Sequence, residues 1–550
     1  SALACINAFF KLEIMVSENL SRNERSRTTR HENIVAAKVI SEIIRTSLGP
    51  KGMDKMIEKG EVIITNDGAT ILKEMAVVHP CAKMLVELSK AQDVEVGDGT
   101  SSVVVLAGSL LGAAETLLDK GIHPQLISQY FMEGCSMIEK ILRGMSIKVD
   151  LTDKNTLIKS ACTSLSSKVV SHSAQHLASI AVDAVLGISR TYQKNSIVSD
   201  YEHEVQDMRK TVDLKNIRIV KKLGGTVEDT ELVDGLILHQ QKVSRTAGGP
   251  TRIQNARIGL IQFCLSAPKT DIENNIVVKD YTAMDRLLRE ERLLIAKMIK
   301  QIAATGCNVL LIQKSILREA ISTLALDYCA KAKILVVKDI ERDEIEFLSK
   351  ALNCSPIASL DHFTSDKLGA ANRVSDEDLD GNGRICRITG IPGKDMMTIF
   401  VRASNMLMLD ETERCIHDAL CVVRSIIKEQ ALVPGGGACE SQIYTELSNW
   451  AKSLSGVKQM CIRAYAQAFE IIPYTLAENA GLNPIEIVTQ LRKKHFDGEI
   501  YAGINVRKAA VTDILKENVL QPLLVNLSSV KLATETVMMI LKIDDIIPCY

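Results

Sequence analysis

Residues 97–118 read GDGTSSVVVLAGSLLGAAETLL. The first six residues are glycines, an aspartate and hydroxyls, and the remainder is apolar on nearly every side. That pattern predicts a helix buried at the centre of its domain, with Gly121 where a C-terminal glycine cap belongs. The start of such a helix offers unpaired N–H groups and the positive end of a dipole, which suits phosphate. Gly97 and Gly99 let the backbone approach a ligand closely. Thr100, Ser101 and Ser102 add hydroxyl donors, and Asp98 supplies the oxygen that a hard cation such as Mg²⁺ prefers. The same residue types also serve as ordinary helix caps. No GxxxxGK[ST] run occurs, so this is not a P-loop.

On the N-terminal side, residues 33–48 carry Ile34, Ala37, Ile40, Ile44 and Leu48 at helical spacing, ended by the Gly49-Pro50 break. Residues 62–65 predict a strand closed by the turn Asn66-Asp67-Gly68, with a helix over 80–91. The middle of the chain alternates strands (257–263, 308–313, 334–337) with helices (284–304, 316–331, 342–352), the sign of an α/β domain with parallel pairing. A long amphipathic helix is expected over 410–430, with Ile416, Leu420, Val423 and Ile427 as its apolar stripe. Asp418 lies about 200° around the helix from Ile416 and faces away from that stripe; the ordinary reading of such an aspartate is a solvated one. Gly435-Gly436-Gly437 invites close approach to a ligand, or acts as a hinge. A further amphipathic helix is expected over 457–477. Helical material flanking an α/β insert suggests one compact helical domain assembled from both ends of the chain. Residues 190–215 and 374–383 read as surface insertions. The run DEDLDG at 376–381 resembles the opening of an EF-hand loop, but its twelfth position is Arg387 where a glutamate is needed, so it reads as a solvated acidic turn.

The 550 residues allow three or four domain-sized units, and 46% hydrophobic with 24% charged residues is an ordinary globular balance. A net charge of −1 and an aromatic content of 4% give no footprint for nucleic acid or an anionic membrane. The fourteen cysteines are scattered, with no CxxC and no zinc spacing, as expected of reduced, buried thiols. The longest apolar run, 103–114, is interrupted by Gly108, Ser109 and Gly112, so no membrane span is expected. Met15 reads as the natural start, with the first fourteen residues an extension or a gene-model artefact.

Taken together, these segments resemble the group II chaperonin family, specifically its eukaryotic cytosolic branch, CCT (TRiC). The ordered markers are TSLGPKGMDKM at 46–56, TNDGAT at 65–70, GDGTSS at 97–102, PGGGA at 434–438, AENAGLNP at 477–484 and AGINV at 502–506. Residues 261–270, 306–318 and 541–546 resemble one subunit type of that branch in particular. The resemblance implies a multi-domain chaperonin fold, with a mainly α-helical equatorial domain (33–148 and 431–546), a mixed α/β intermediate domain (149–217 and 374–430) and an α/β apical domain (218–373). It also implies an N-terminal extension (1–32), a C-terminal tail (547–550) and a helical protrusion around 266–289. ATP and Mg²⁺ are the implied cofactors. Other subunits in an eight-membered ring, two such rings stacked, and unfolded client proteins are the implied partners, in the cytosol, with neither nucleic acid nor membrane.

Site residues follow position by position. Gly49, Pro50, Gly68, Gly99, Thr100, Ser101, Ser102 and Gly436 would contact nucleotide, and Asp98 would hold the metal. Asp67 and Asp418 would act on the attacking water. The loop 163–168, with Ser166, Ser167 and Lys168, resembles a nucleotide-sensing loop whose lysine reaches the γ-phosphate. Ser101 replaces a more usual threonine, Gln521 a frequent acidic residue near the ribose, and Ala403 a glycine. The implied function is ATP-driven closure of a built-in lid over unfolded protein; the alternative is a mainly structural, client-recognising subunit with little turnover.

Overall fold

The computed structural model describes residues 22–151, 153–195, 212–238, 248–266, 278, 280–315, 319–379, 383–392 and 396–547. The chain forms two compact units. One is built from the chain up to Val182 and from Asp410 onward, the other mainly from Asp213–Leu409.

The first unit is helical. Its centre is the Thr100–Asp119 helix, whose Val103, Val104, Val105, Leu106, Ala107, Leu110, Leu111 and Ala114 are all at most 2% exposed. Around it pack the helices Arg22–Arg45, Pro80–Glu95, Pro124–Met145, Gly456–Ala468 and Leu523–Lys542. The glycine that interrupts the apolar run has a packing role, because a Cβ on Gly108 would lie 2.3 Å from Ser41 Oγ of the Arg22–Arg45 helix. An aromatic group closes the core: Tyr465 packs tilted against Phe131 with ring centroids 4.8 Å apart and edge-on against Phe469 at 5.3 Å, and its hydroxyl hydrogen-bonds with Thr534 Oγ1 at 2.8 Å. By length and composition alone, Thr100–Asp119 and Leu523–Lys542 could each cross a membrane; here both pack into this core.

One local expectation is corrected in this unit. The single helix over 457–477 is two, Gly456–Ala468 and Ile471–Asn479. Pro473 falls in the first turn of the second helix, where its missing N–H and its ring prevent the first from running through. The strand expected at 62–65 is present as Glu61–Thr65, paired antiparallel with Lys55–Lys59 in a hairpin.

In the second unit a six-stranded sheet has the order Gly235–Leu238, Arg384–Thr389, Gly369–Asp378, Arg252–Ile261, Val309–Gln313, Leu335–Ile340. The last three strands are parallel and the others antiparallel, so the sheet is mixed rather than parallel throughout. Val309 and Leu311 face one core with the Arg342–Leu352 helix, while Leu310 and Ile312 face another with Tyr281–Ala304 and Thr323–Lys331, the period-2 alternation of a sheet covered on both sides. A three-stranded sheet pairs Met397–Ala403 with Ile217–Leu223 (parallel) and Glu231–Val233 (antiparallel).

The helix expected over 316–331 starts at Thr323, because the Ser322 hydroxyl caps it by accepting from Ala325 N at 3.3 Å; residues 316–318 lie outside the described ones. The acidic turn is also corrected. Gly369–Asp378 is a central strand paired on both sides, and Asp376 is 7% exposed rather than solvated. The expected boundaries at 217/218 and 373/374 therefore both fall inside strands. Residues 196–211 of the expected insertion, and 267–277 and 279 of the expected protrusion, lie outside the described residues.

Candidate functional site

Three turns of the first unit meet at the N-terminus of the Thr100–Asp119 helix. The first is Thr65-Asn66-Asp67. Asp67 caps the Gly68–Glu74 helix, its Oδ2 accepting from Thr70 N at 2.9 Å and Thr70 Oγ1 at 2.7 Å, and its Oδ1 accepts from Thr100 Oγ1 at 2.9 Å. Burial pushes this carboxyl up, but the charge of Lys168 and the bonds from Thr70 and Thr100 hold it below the usual carboxylate range. Gly68 brings the two helix starts together: a Cβ there would lie 2.8 Å from Ser101 N.

The second turn is 97–99. Gly97 and Gly99 both take φ +74°, in the left-handed region that favours glycine. Gly99 is the N-cap and no side chain caps this helix, so its start is open to a ligand. Asp98 Oδ1 accepts from Gly99 N at 2.7 Å, and the carboxyl is raised by burial and by the negative charge of Asp418, with Lys168 and the Gly99 N–H opposing. A half-buried carboxylate with surplus negative charge beside it is a fitting oxygen ligand for Mg²⁺, which takes one or two carboxylates and draws its other ligands from phosphate and water. Among the described residues no group of three His, Cys, Asp or Glu side chains gathers as a metal cluster.

The third turn carries Lys168. The expected loop at 163–168 is in part helix, since Thr163, Ser164 and Leu165 end the Lys154–Leu165 helix. The Ser166 and Ser167 hydroxyls donate back to the Thr163 and Ser164 carbonyls, at 2.7 and 3.1 Å. Asn66 Nδ2 donates to Ser167 O at 2.9 Å and ties this turn to the first. Lys168 Nζ bonds Asp418 Oδ2 at 2.7 Å. Burial pulls the lysine down, but Asp418 and Asp67 outweigh it and hold it well above the ordinary lysine value. Asp418 is thus buried, against the ordinary solvated reading.

These turns open on a cavity of about 1100 Å³. Asp67, Asp98, Gly99, Thr100, Ser101, Ser102, Ser166, Ser167 and Lys168 line one end, Gly49 and Pro50 a wall, and Gly436 and Gln521 another. Gly68 and Asp418 stand behind this lining. Gly49 takes φ +92° against Leu476, and Asn479 Nδ2 holds the preceding turn through the Arg45 and Leu48 carbonyls, at 3.0 and 2.8 Å. Gly436, at φ +65°, accepts from Ile504 N at 2.9 Å, and Gln521 lies on the strand Leu520–Pro522 paired with Ala431–Pro434. Sequence reasoning did not single out Asn66 as a brace, nor Asn505, Glu517 and Asn518, which also line the cavity. A polar residue beside a glycine turn was the available signal for Asn66.

The TCP-1/cpn60 chaperonin family model matches residues 40–549. The chain belongs to this family. This chaperonin is 57% identical over 536 residues to the T-complex protein 1 subunit delta of Arabidopsis thaliana, covering 96% of each chain. It is 56% identical over 532 residues to the subunit delta of Dictyostelium discoideum, again 96% of each. To that of Homo sapiens it is 55% identical over 522 residues, 94% of this chain and 93% of the relative. The subunit type suggested by residues 261–270, 306–318 and 541–546 is therefore the delta type, and these relatives bear that resemblance out.

Proposed function

We propose that this chaperonin binds Mg-ATP in the cavity of its first unit and hydrolyses it, as one subunit of a hetero-oligomeric protein-folding ring in the cytosol. The observation that carries the reading is the convergence of Asp67, Asp98, Asp418 and Lys168 on one uncapped helix N-terminus. The N–H groups and hydroxyls of 99–102 receive the phosphates. Asp98 holds Mg²⁺, which neutralises phosphate charge when bound. Lys168 turns its ammonium to the γ-phosphate. Asp67 and Asp418 orient the attacking water and take up its proton. Gly49, Pro50 and Gly68 shape the approach, Gly436 packs on the base or ribose, and Gln521 meets the ribose as a neutral amide.

In this reading the two chain ends form the equatorial domain, the three-stranded sheet belongs to the intermediate domain and the six-stranded sheet to the apical domain. Hydrolysis drives closure of the protrusion near 266–289 over unfolded client. Eight subunits form each ring and two rings stack. Clients bind along the Thr323–Lys331 and Arg342–Leu352 helices, which combine apolar and charged faces.

A photoreactive ATP analogue, added to the native assembly with Mg²⁺ and followed by peptide mapping, tests the reading. Labelling of the cavity segments that ATP competes away, on particles imaged as double rings, supports it. Labelling elsewhere, or a monomeric particle, overturns it.

A further inference from the structure

His495 lies in the last turn of the Pro484–Phe496 helix and is 4% exposed. Its Nε2 is 2.9 Å from the Ala502 carbonyl oxygen, and its Nδ1 is 2.9 Å from Oε1 of Gln442 on the Ala438–Lys452 helix. A carbonyl oxygen only accepts, so Nε2 carries a proton and donates to Ala502 O. Gln442, itself buried, donates from its Nε2 to Glu446 Oε1 at 3.1 Å. A protonated ring donates to Ala502 and Gln442 together. A neutral ring keeps the Ala502 bond and accepts at Nδ1 from a Gln442 amide turned over, with the exposed Glu446 left to water. Burial pulls the ring below the ordinary histidine value, against the Ala502 carbonyl and the charge of Glu499, so the neutral form prevails near neutral pH. In both forms the Nε2–H reaches Ala502 O, and without it a buried carbonyl loses its donor.

Ala502 begins the strand Ala502–Asn505, which pairs along one edge with Ala510–Asp513. Alternate residues of a strand turn their polar backbone groups to the same edge. On the other edge, Ala502 O accepts from His495 and, two residues on, Ile504 N donates to Gly436 O at 2.9 Å. The strand and the glycine turn approach closely, since a Cβ on Gly503 would lie 3.2 Å from Gly436 O. Ile504 and Asn505 line the cavity together with Gly436. Through Gln442, the same imidazole holds the helix that Gly437 caps. His495 therefore ties together the two segments that form the Gly436 wall, distinct from the end lined by Asp98 and Lys168.

We propose that His495 is a positioning residue for the nucleoside part of the nucleotide, holding the Ala502–Asn505 strand against Gly436 through its Nε2–H. This rests on the ATPase reading above. His495 stands behind the wall and does not touch nucleotide. Its loss lets Ile504 and Asn505 shift against Gly436 while the helix N-terminus, Asp98 and Lys168 keep their places. The effect falls on binding of the base and ribose, and spares both the triphosphate contacts and the chemical step at saturation.

The test uses the full-length chain in assemblies containing only this subunit. Affinities for Mg-ATP and for Mg-tripolyphosphate, which lacks base and ribose, are measured with the single-turnover rate at saturating ATP. Wild type is compared with His495→Gln, whose longer amide carries an N–H to the position of Nε2, and with His495→Asn, whose shorter amide reaches only as far as Nδ1. His495→Asn is expected to weaken Mg-ATP about fivefold, the scale of one lost hydrogen bond, with tripolyphosphate affinity and the saturated rate kept within about twofold. His495→Gln restores Mg-ATP affinity to within about twofold of wild type, because it keeps the same bond. If His495→Asn does not fold, His495→Phe takes its place, keeping the ring's bulk and neither nitrogen. Unchanged Mg-ATP affinity, equal weakening of ATP and tripolyphosphate, or a His495→Gln as weak as His495→Asn overturns the positioning role. A wild-type assembly that binds no Mg-ATP overturns the ATPase reading and this role with it; wild-type binding that His495→Asn or its replacement leaves intact overturns only this role.

Discussion

Lys168 Nζ sits 2.7 Å from Asp418 Oδ2, and each side chain is only 10% exposed. The two groups proposed to serve the γ-phosphate and the water thus hold one another across the site. Removing one partner of such a pair strands a buried charge. Asp418→Ala is expected to lower stability by about 3 kcal/mol, whereas replacing both partners with Lys168→Met and Asp418→Leu costs less. Chemical denaturation of the purified variants measures both; an Asp418→Ala as stable as wild type would mean that the pair carries no folding energy.

The glycines of the phosphate turn separate backbone strain from packing. A Cβ on Gly97 would lie 2.3 Å from Cys421 Cβ and also meet φ +74°, whereas Gly121, at φ +80°, has open space around it. Gly121→Ala carries only the conformational cost, about 1 kcal/mol, and leaves nucleotide affinity unchanged. Gly97→Ala must also displace the turn that presents Asp98, and is expected to weaken Mg-ATP binding at least about tenfold, by comparison with the cost of small displacements in a positioned site. Equilibrium titration of both variants separates the two effects; equal affinities contradict the close approach described here.

His417 links the site to pH. Its ring lies 3.9 Å from Asp418 Oδ1 and 3.8 Å from Cys421 Sγ, and contact with these two raises its pKa from 6.5 to about 10. A raised folded-state pKa stabilises the native protein fully below 6.5, and that contribution is lost as pH rises through about 10. The ring is half exposed, so solvent screening keeps the slope shallow. His417→Gln is expected to flatten the fall of melting temperature between these pH values; identical pH profiles for variant and wild type would show that the contact does not couple to stability.

Much of this site was legible because phosphate binding by a helix N-terminus is written locally: 97–102 and its apolar helix are contiguous, and so is the 66–68 turn. The burial of Asp418 was not legible, because the helical wheel only turned it away from Ile416. Whether that face meets water or Lys168, 250 residues earlier, depends on tertiary packing. The strand at 369–378 was misread because its acidic residues mask a central position, where Asp376 is buried. Pro473 was a readable break in the helix expected over 457–477, and periodicity across it misled.

The division of labour between Asp98 and Asp418 is the central claim, and one paired measurement tests it. Mg-ATP affinity and single-turnover hydrolysis are determined for Asp98→Ala and Asp418→Ala in an assembly containing only this subunit. Asp98→Ala removes the proposed metal ligand and should weaken binding itself. Asp418→Ala removes a negative group beside Lys168, so binding should survive or tighten slightly while hydrolysis falls about 10²-fold or more, the scale of a positioned acid–base group. Equal loss of affinity in both variants, or unchanged hydrolysis in Asp418→Ala, would contradict the assignment.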